Sequence, residues 1–389
     1  MPTPVHRIAI AIPKYGLTGG AEGFTAEITN RIAANPLYEI HVFANRWSGQ
    51  AAGIKFHRVP IISFPKFLTT ISFAWFARRM ISRFGFELVH AHDRLLAADI
   101  FTMHGIPHRL WVREIRGKHL SLYDLVTDLV EKKLVNSDRC RYFLAVSGLA
   151  RDKFLQAYDQ VDPRRVQVVS PGVDTARFEK LDRQLCRREI RDYYGIGAAE
   201  TVILFVSMNF EVKGLDRLIA ALAALGADHP AGRCKLLVVG KGNRKKYLAF
   251  ARKMNMESQL VFTGVLGKSE LDKVYLASDV FSLLSRFDTF GMVVLEAMAA
   301  SLPVVISENV GARDLVREGG NGFIINDGES AGIIAAKFGR LLDHDLRAQM
   351  GAAALSTARD HTWEKVVEKI TAIYDGALQS FVSSKIPQP

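Results

Sequence analysis

The stretch "VFSLLSRFDTFGMVVLEAMAASLPVVIS", residues 280–307, decides how the rest is read. An apolar run from Val280 ends in the polar loop "RFDTFG". "MVVLEAMAAS" then reads as a helix, and "LPVVIS" from Leu302 is a second apolar run. Strand, loop, helix and strand in that order make a βαβ unit of a parallel sheet. Two carboxylates, Asp288 and Glu296, flank Gly291 in this otherwise apolar segment. A helix starting near Gly291 offers unpaired N–H groups and a positive dipole end, which suit a diphosphate. The acids would repel phosphate but can accept hydrogen bonds from sugar hydroxyls. Either they hold a sugar and a ribose on the two sides of a diphosphate, or Glu296 is an ordinary exposed helix residue. The apolar surroundings weigh against the second, because an unpaired carboxylate there is costly.

The same alternation extends in both directions. Strands are expected at "RIAIAIP" (from Arg7), "EIHVFA" (Glu39), "LVHAH" (Leu88), "IFTMHG" (Ile100), "YFLAVS" (Tyr142) and "VQVVSPG" (Val166). They recur at "TVILFVS" (Thr201), "CKLLVVG" (Cys234), "LVFTG" (Leu260) and "GFIIN" (Gly322). Continuous β-branched runs suit parallel strands buried on both faces. The pattern, run twice over 389 residues, predicts an α/β chain of two doubly wound, Rossmann-like domains facing across a cleft. The expected division is 1–180 and 181–361, with the seam in the charge-rich stretch Asp174–Gly195. A last helix, about 362–389 with a frayed "VSSKIPQP", is expected to pack back on the first domain.

Hydrophobic content of 49% and charged content of 23% describe a soluble globular protein. No apolar run approaches the roughly 18 residues that a membrane span needs, and the N-terminal run is too short and too soon closed for a secretory signal. Three scattered cysteines, with no CxxC pair, fit reduced thiols in the cytoplasm. Net charge is +11 and uneven: residues 1–180 carry 25 Lys and Arg against 16 Asp and Glu, the remainder 26 against 24. A basic first half implies an anionic partner. Its aromatics form no stacking platform and no nucleic-acid motif is present, so nucleic acid is not the expected partner.

Several loops after strands carry candidate binding groups. Gly19-Gly20-Ala21-Glu22 opens a helix after the first strand and is either an anion-approaching loop or a plain strand–helix turn. Lys213-Gly214 opens another helix, where the lysine either neutralises a diphosphate or is merely solvated. Gly240-Lys241-Gly242 lacks the third glycine of a dinucleotide fingerprint, and Arg244 beyond it is either a ligand or part of a solvated face. "DHD" at Asp343–Asp345 lies in a helix connection, and His90 and His92 of "HAHD" have no partner cluster, so neither is expected to hold a metal.

Taken together, these segments resemble the family 4 glycosyltransferases, whose E-x7-E signature is similar to "DTFGMVVLEAMAASLPVV". The likeness also runs through the Gly19–Glu22 loop, "ELVHAHD", "MHG" around His104, "AVSGLARDKF", "SPGVDTARF", "KGLDRLI", "VVGKG" and "VREGGNGFIIND". Within the family, "KGLDRLIAAL" and "VVGKGNRKKYLAFARKM" look closest to lipopolysaccharide-core glucosyltransferases. The resemblance implies a GT-B fold and a retaining transferase that moves a hexose from a nucleoside-diphosphate sugar, UDP foremost, without metal or other cofactor. The implied acceptor is a lipid-linked or phosphorylated glycan. Glu296 would take the ribose hydroxyls, Asp288 the donor sugar, and Lys213 the diphosphate, with Phe290, Gly291 and Met292 lining the donor site. Gly19 and Gly20 would face donor phosphate and acceptor, Glu22 the acceptor, and His104 the transferred sugar. Three positions depart from the pattern: Asp288 stands for the usual Glu, Met208 for an Arg common five residues before the lysine, and Asp314 for a glutamate. The diphosphate would then lean on Lys213 alone or borrow Arg244. Rivals within and near the class are a transferase for another lipid or exopolysaccharide precursor and a nucleotide-sugar epimerase of the same shape.

A further segment, "PHRLWVREIRGKHL" from Pro107, places Arg109, Arg113 and Arg116 at helical spacing with Trp111 and Lys118. Basic charge beside an aromatic suits contact with an anionic membrane. The expectation is a cytoplasmic protein, peripheral on the inner face of the cytoplasmic membrane, with its oligomeric state left open.

Overall fold

The computed structural model describes residues 5–17, 19–49, 52–228 and 234–383. Its chain forms two compact units, one of residues 1–171 and 363–389, the other of residues 172–362.

The first unit runs β1 (His6–Ala11), β2 (Lys14–Tyr15), α1 (Gly20–Ile32), β3 (Tyr38–Ala44), β4 (Arg46–Trp47), β5 (Ile54–Arg58) and α2 (Leu68–Ile81). It continues β6 (Leu88–Ala91), β7 (Ile100–Met103), α3 (His108–Leu110), α4 (Leu122–Val135), β8 (Tyr142–Ala145), α5 (Gly148–Ala157) and β9 (Val166–Val168). Its parallel sheet has the order β5-β3-β1-β6-β7-β8-β9, and β2 pairs with β4 beside it. Strand order reverses between β1 and β6, and in such sheets ligands gather outside the carboxyl ends at that point. Beyond β1 and β2, Gly19 caps α1 and Gly20 opens it, and the turn after β6 holds His92 and Asp93.

The second unit runs α6 (Ala176–Glu179), α7 (Arg183–Tyr194), β10 (Thr201–Ser207), α8 (Leu215–Asp228), β11 (Cys234–Gly240), α9 (Arg244–Lys253), β12 (Leu260–Gly264) and α10 (Lys268–Ala277). Then come β13 (Val280–Leu283), α11 (Met292–Ala299), β14 (Val304–Ser307), β15 (Gly322–Ile325), α12 (Ala331–Arg340) and α13 (His344–Arg359). Its parallel sheet, β12-β11-β10-β13-β14-β15, reverses between β10 and β13. Every residue of β10, β13 and β14 is buried, as expected of strands covered on both faces.

The last helix, α14 (Trp363–Ser383), belongs to the first unit. Trp363 meets Phe24 of α1 edge-on at 5.6 Å, and the Tyr38 hydroxyl donates to Asp375 at 3.0 Å. Tyr374 and Thr102 place their hydroxyls 2.7 Å from the two ring nitrogens of His90, which is wholly buried in β6. Each apolar side chain sealed in this way contributes about 1.5–3 kcal/mol. The residues expected to fray, from Val382 on, fall in the end of α14 and beyond the described residues.

The division falls at 171/172 rather than at 180/181. The Asp174–Gly195 stretch is not a linker but α6 and α7, packed within the second unit. Arg191 of α7 is buried with its N–H groups donating to Asp279 Oδ2 (2.7 Å) and to the carbonyls of Gly197 and Glu200 (3.0 and 2.9 Å). Arg177, Glu179, Arg187, Glu189 and Arg191 of this stretch are in ion pairs, which a composition count reads as solvated charge.

Candidate active site

The second unit gathers its candidate residues at the switch point between β10 and β13. Two loops meet there and are stitched together: the Arg286 N–H donates to Val212 O at 2.8 Å, and Ser285 Oγ to the same carbonyl at 3.1 Å. Gly214 makes this approach possible. Its φ is +73°, and a Cβ there would lie 1.9 Å from Leu284 O. The stitching sets Lys213 beside Asp288, Nζ to Oδ2 at 2.5 Å, both side chains mostly buried. Asp288 is fixed in turn by its own backbone, which donates to Asn309 O and accepts from Gly311 N–H, each at 2.9 Å. Gly291, at φ +90°, caps α11, and a Cβ on it would press Val310 Cγ1 at 2.9 Å. Phe290 is buried and Met292 opens the helix.

Glu296 lies on α11 with its side chain 20% exposed. It is not an ordinary exposed helix residue. The Tyr275 hydroxyl donates to Oε2 at 3.0 Å, and Arg177 Nη2 lies 3.3 Å from Oε1. Burial, then the neighbouring Glu296, pushes the Tyr275 hydroxyl well above its usual range, so it remains a donor. Tyr275, Arg177 and Asp272, which pairs with Arg177 at 3.1 Å, escape a reading by motif. Arg177 sits inside the quoted "SPGVDTARF", but spacing alone gives no hint that it reaches Glu296. Arg244 heads α9 with its guanidinium 5.6 Å above the Phe262 ring. Among the described residues no hydrogen bond or ion pair joins it to Lys213 or Asp288. Met208 is 60% exposed at the end of β10. Asp343, of the "DHD" sequence, caps α13 by accepting from Leu346 N–H at 2.8 Å.

In the first unit, Gly20 opens α1 and the Glu22 carboxyl folds back over Gly19, so close that a Cβ on Gly19 would meet Oε2 at 2.1 Å. His104 follows β7. Its Nε2 shares a hydrogen bond with His92 Nδ1 at 3.0 Å, and its ring meets Phe24 edge-on at 5.1 Å. Burial lowers His104 to about 3, and His92 is held low by burial and by its histidine neighbours, so both rings are neutral near pH 7. His92, Arg94, His104 and Glu131 are among the residues that line a cavity of about 270 Å³ at this end of the sheet. Glu131, missed in the sequence, ties the walls together by accepting from Arg94 Nε (2.8 Å), the Tyr158 hydroxyl (2.9 Å) and His108 N–H (3.1 Å).

The basic segment of this unit departs from its expected geometry. After α3 the chain takes a π-helical turn, Trp111–Ile115, so the arginines do not share a regular helical face. Arg109 turns to Asp128, Nη2 to Oδ2 at 2.6 Å, whereas Arg113, Arg116 and Lys118 are exposed and Trp111 is half-buried. Among the described residues no helix is long and apolar enough to cross a membrane.

The two sheets, each with a strand-order reversal facing its candidate residues, define a pair of nucleotide-binding-type α/β domains. The chain matches Glycosyltransferase Family 4 over residues 18–177 and Glycosyl transferases group 1 over residues 187–357, and it belongs to the glycosyltransferases of GT-B fold. It is similar to the D-inositol 3-phosphate glycosyltransferase of Acidothermus cellulolyticus, at 26% identity over 96% of this chain and 89% of that protein. Among solved structures it resembles WaaG, a glycosyltransferase involved in lipopolysaccharide biosynthesis, with a TM-score of 0.77 at 21% identity over 94% of this chain and 99% of that one. It also resembles Anabaena HepE in complex with UDP-glucose, with a TM-score of 0.72 at 19% identity over 95% and 99%. At such identities the last two likenesses concern the fold.

Proposed function

We propose that this glycosyltransferase is a retaining enzyme that moves a hexose from a nucleoside-diphosphate donor, UDP foremost, to a hydroxyl of a lipid-linked glycan such as the lipopolysaccharide core. The observation that carries the donor half is Lys213 locked on Asp288 at the switch point that also holds the start of α11 and Glu296. A departing diphosphate needs positive charge already in place. Lys213 has three N–H donors, of which Asp288 takes one and the Phe287 carbonyl, at 3.4 Å, another, and the helix start adds unpaired N–H groups. Glu296 is suited to a ribose diol, and Asp288 to a sugar hydroxyl next to the lysine. Neutral His104 can donate or accept towards the transferred sugar without adding charge. Retention, with departing phosphate oxygen taking the acceptor proton, follows from family resemblance, as does independence from a metal. The UDP-glucose held by HepE supports the choice of donor.

The acceptor half rests on the basic first domain and on the involvement of WaaG in lipopolysaccharide biosynthesis. A second reading, a phosphorylated cyclitol as acceptor, is favoured by the name of the A. cellulolyticus relative. For the membrane, α4 adds support that the sequence did not offer: Leu122, Leu125 and Leu129 are 58, 47 and 60% exposed at helical spacing. They sit on the helix against which α3 packs, just after exposed Arg113, Arg116 and Lys118. Apolar and basic groups side by side suit the inner face of the cytoplasmic membrane.

The test is calorimetric titration with UDP and GDP in EDTA, then with their hexose conjugates. Saturable binding that weakens in Lys213→Ala and Glu296→Ala supports the site, and acceptor trials with core fragments and inositol phosphate then separate the two acceptors. No nucleotide binding at all would refute the donor half.

A further inference from the structure

Glu296 is held by a cluster that the assigned roles leave unused. Asp272 and Tyr275 stand one turn apart on α10 and so project from the same face. Asp272 is 7% exposed, and its Oδ1 makes no hydrogen bond, only the ion pair to Arg177 at 3.1 Å. Arg177 lies between Asp272 and Glu296, its guanidinium 4.6 Å from the Phe178 ring and its Nε buried without a hydrogen-bond partner. One guanidinium thus serves two carboxylates, and one buried hydroxyl completes the grip on the second.

We infer that Arg177 and Tyr275 are positioning residues for nucleotide recognition, holding Glu296 so that its two oxygens meet the two hydroxyls of a ribose. The inference rests on the reading of Glu296 as the ribose acceptor and adds how the chain makes that acceptor selective. A carboxylate has about four lone-pair sites. Tyr275 takes one on Oε2, and Arg177 Nη2 stands 3.3 Å from Oε1 as an ion pair, which leaves lone pairs on both oxygens for a ligand. A cis-diol has two O–H donors to match. A glutamate free to rotate would have to be ordered by the ligand; here burial has ordered it in advance. The arrangement also answers a charge problem. A diphosphate bound at the start of α11 would disfavour an ionised carboxylate on the same helix, and Arg177 offsets that repulsion. Asp272, ion-paired with Arg177 at 3.1 Å, keeps it from swinging outward to the phosphates.

A merely structural cluster would change stability and leave discrimination between ribose and deoxyribose untouched. Titration of wild type, Tyr275→Phe, Arg177→Met, Arg177→Lys and Glu296→Gln with UDP and 2′-deoxy-UDP (or the GDP pair, if GDP is what binds) separates the two. Wild type is expected to favour the ribonucleotide by about tenfold or more, the worth of a charge-assisted hydrogen bond. In Tyr275→Phe and Arg177→Met that preference should shrink to about twofold, through loss of ribonucleotide affinity with the deoxy form little changed. Arg177→Lys should restore part of it, and KM for the sugar donor should rise with kcat held within about twofold. Should Arg177→Met not fold, Tyr275→Phe decides, since it keeps the ring. If Glu296→Gln loses the preference while Tyr275→Phe and Arg177→Met keep it, the positioning role is refuted and the ribose site stands. If Glu296→Gln keeps it, or wild type binds no nucleotide, the ribose reading fails and takes the positioning role with it.

Discussion

Replacing Gly214 with alanine tests how the site is assembled. The added Cβ would sit 1.9 Å from Leu284 O, and real Cβ atoms essentially never come within 3.0 Å of a neighbour, so the loops must part by at least 1.1 Å (3.0 less 1.9). Parting them strains or breaks the bonds from Arg286 N–H and Ser285 Oγ to Val212 O, each worth about 1 kcal/mol. The +73° φ adds about 1 kcal/mol for a residue with a side chain. The total, about 3 kcal/mol, corresponds to a fall of about 6–12 °C in Tm for a domain of this size. Lys213, the preceding residue, would move by a similar distance from Asp288, and a displacement of about 1 Å at a reacting centre costs about 100-fold in rate. Gly226→Ala is the control: that glycine lies in α8 and a Cβ on it meets nothing within 4 Å, so the change should be neutral or stabilising. Thermal unfolding, UDP titration and kcat/KM on the sugar donor read all three effects. If Gly214→Ala keeps kcat/KM within about threefold and Tm within about 2 °C, the loops are not joined as described.

Lys213→Met is expected to lower kcat/KM by about 10²- to 10³-fold, as removal of one preorganised donor does, with Lys213→Arg retaining more activity; equal loss in both would argue against a charge role. Burial holds His90 neutral down to about 3, against an ordinary value of 6.5. Its contribution is therefore complete above pH 6.5 and is lost as pH falls towards 3, about 2 kcal/mol between pH 6.5 and 5. A Tm that is flat from pH 7 to 5 would contradict this. Leu125→Ser/Leu129→Ser should weaken sedimentation with anionic vesicles several-fold and Arg113→Glu/Arg116→Glu should do likewise, with neutral vesicles binding little; unchanged sedimentation in both would remove the membrane reading.

What the sequence disclosed depended on how the information was stored. Runs such as "TVILFVS" and "CKLLVVG" have unbroken apolar centres because β10 and β11 are covered on both faces, and they can be recognised without knowing their neighbours. Strand β5, "IKFHR", escaped because it is the sheet edge, half-exposed and interrupted by the charges of Lys55 and Arg58. The π-helical turn after α3 has no periodic signature either. At the candidate site, Asp288, Gly291 and Glu296 lie in one continuous stretch and declare themselves by spacing. Arg177 and Tyr275 do not, since they reach Glu296 from α6 and α10 through folding alone. Arg109 reads as a free cation until α4 is seen to offer Asp128.

The return of α14 to the first domain has a consequence for the order in which the chain can be completed. Residues 172–362 are continuous, so that domain has all its parts once they have emerged from the ribosome. The domain begun first is finished last: β6 and α1 must wait for Tyr374 and Trp363, made after the whole of its neighbour. Until then His90 lacks one of its two hydrogen-bond partners and Phe24 part of its cover. A nascent chain stopped before Trp363 would carry one complete domain and one open one, and the arrival of α14 is the event that closes the first.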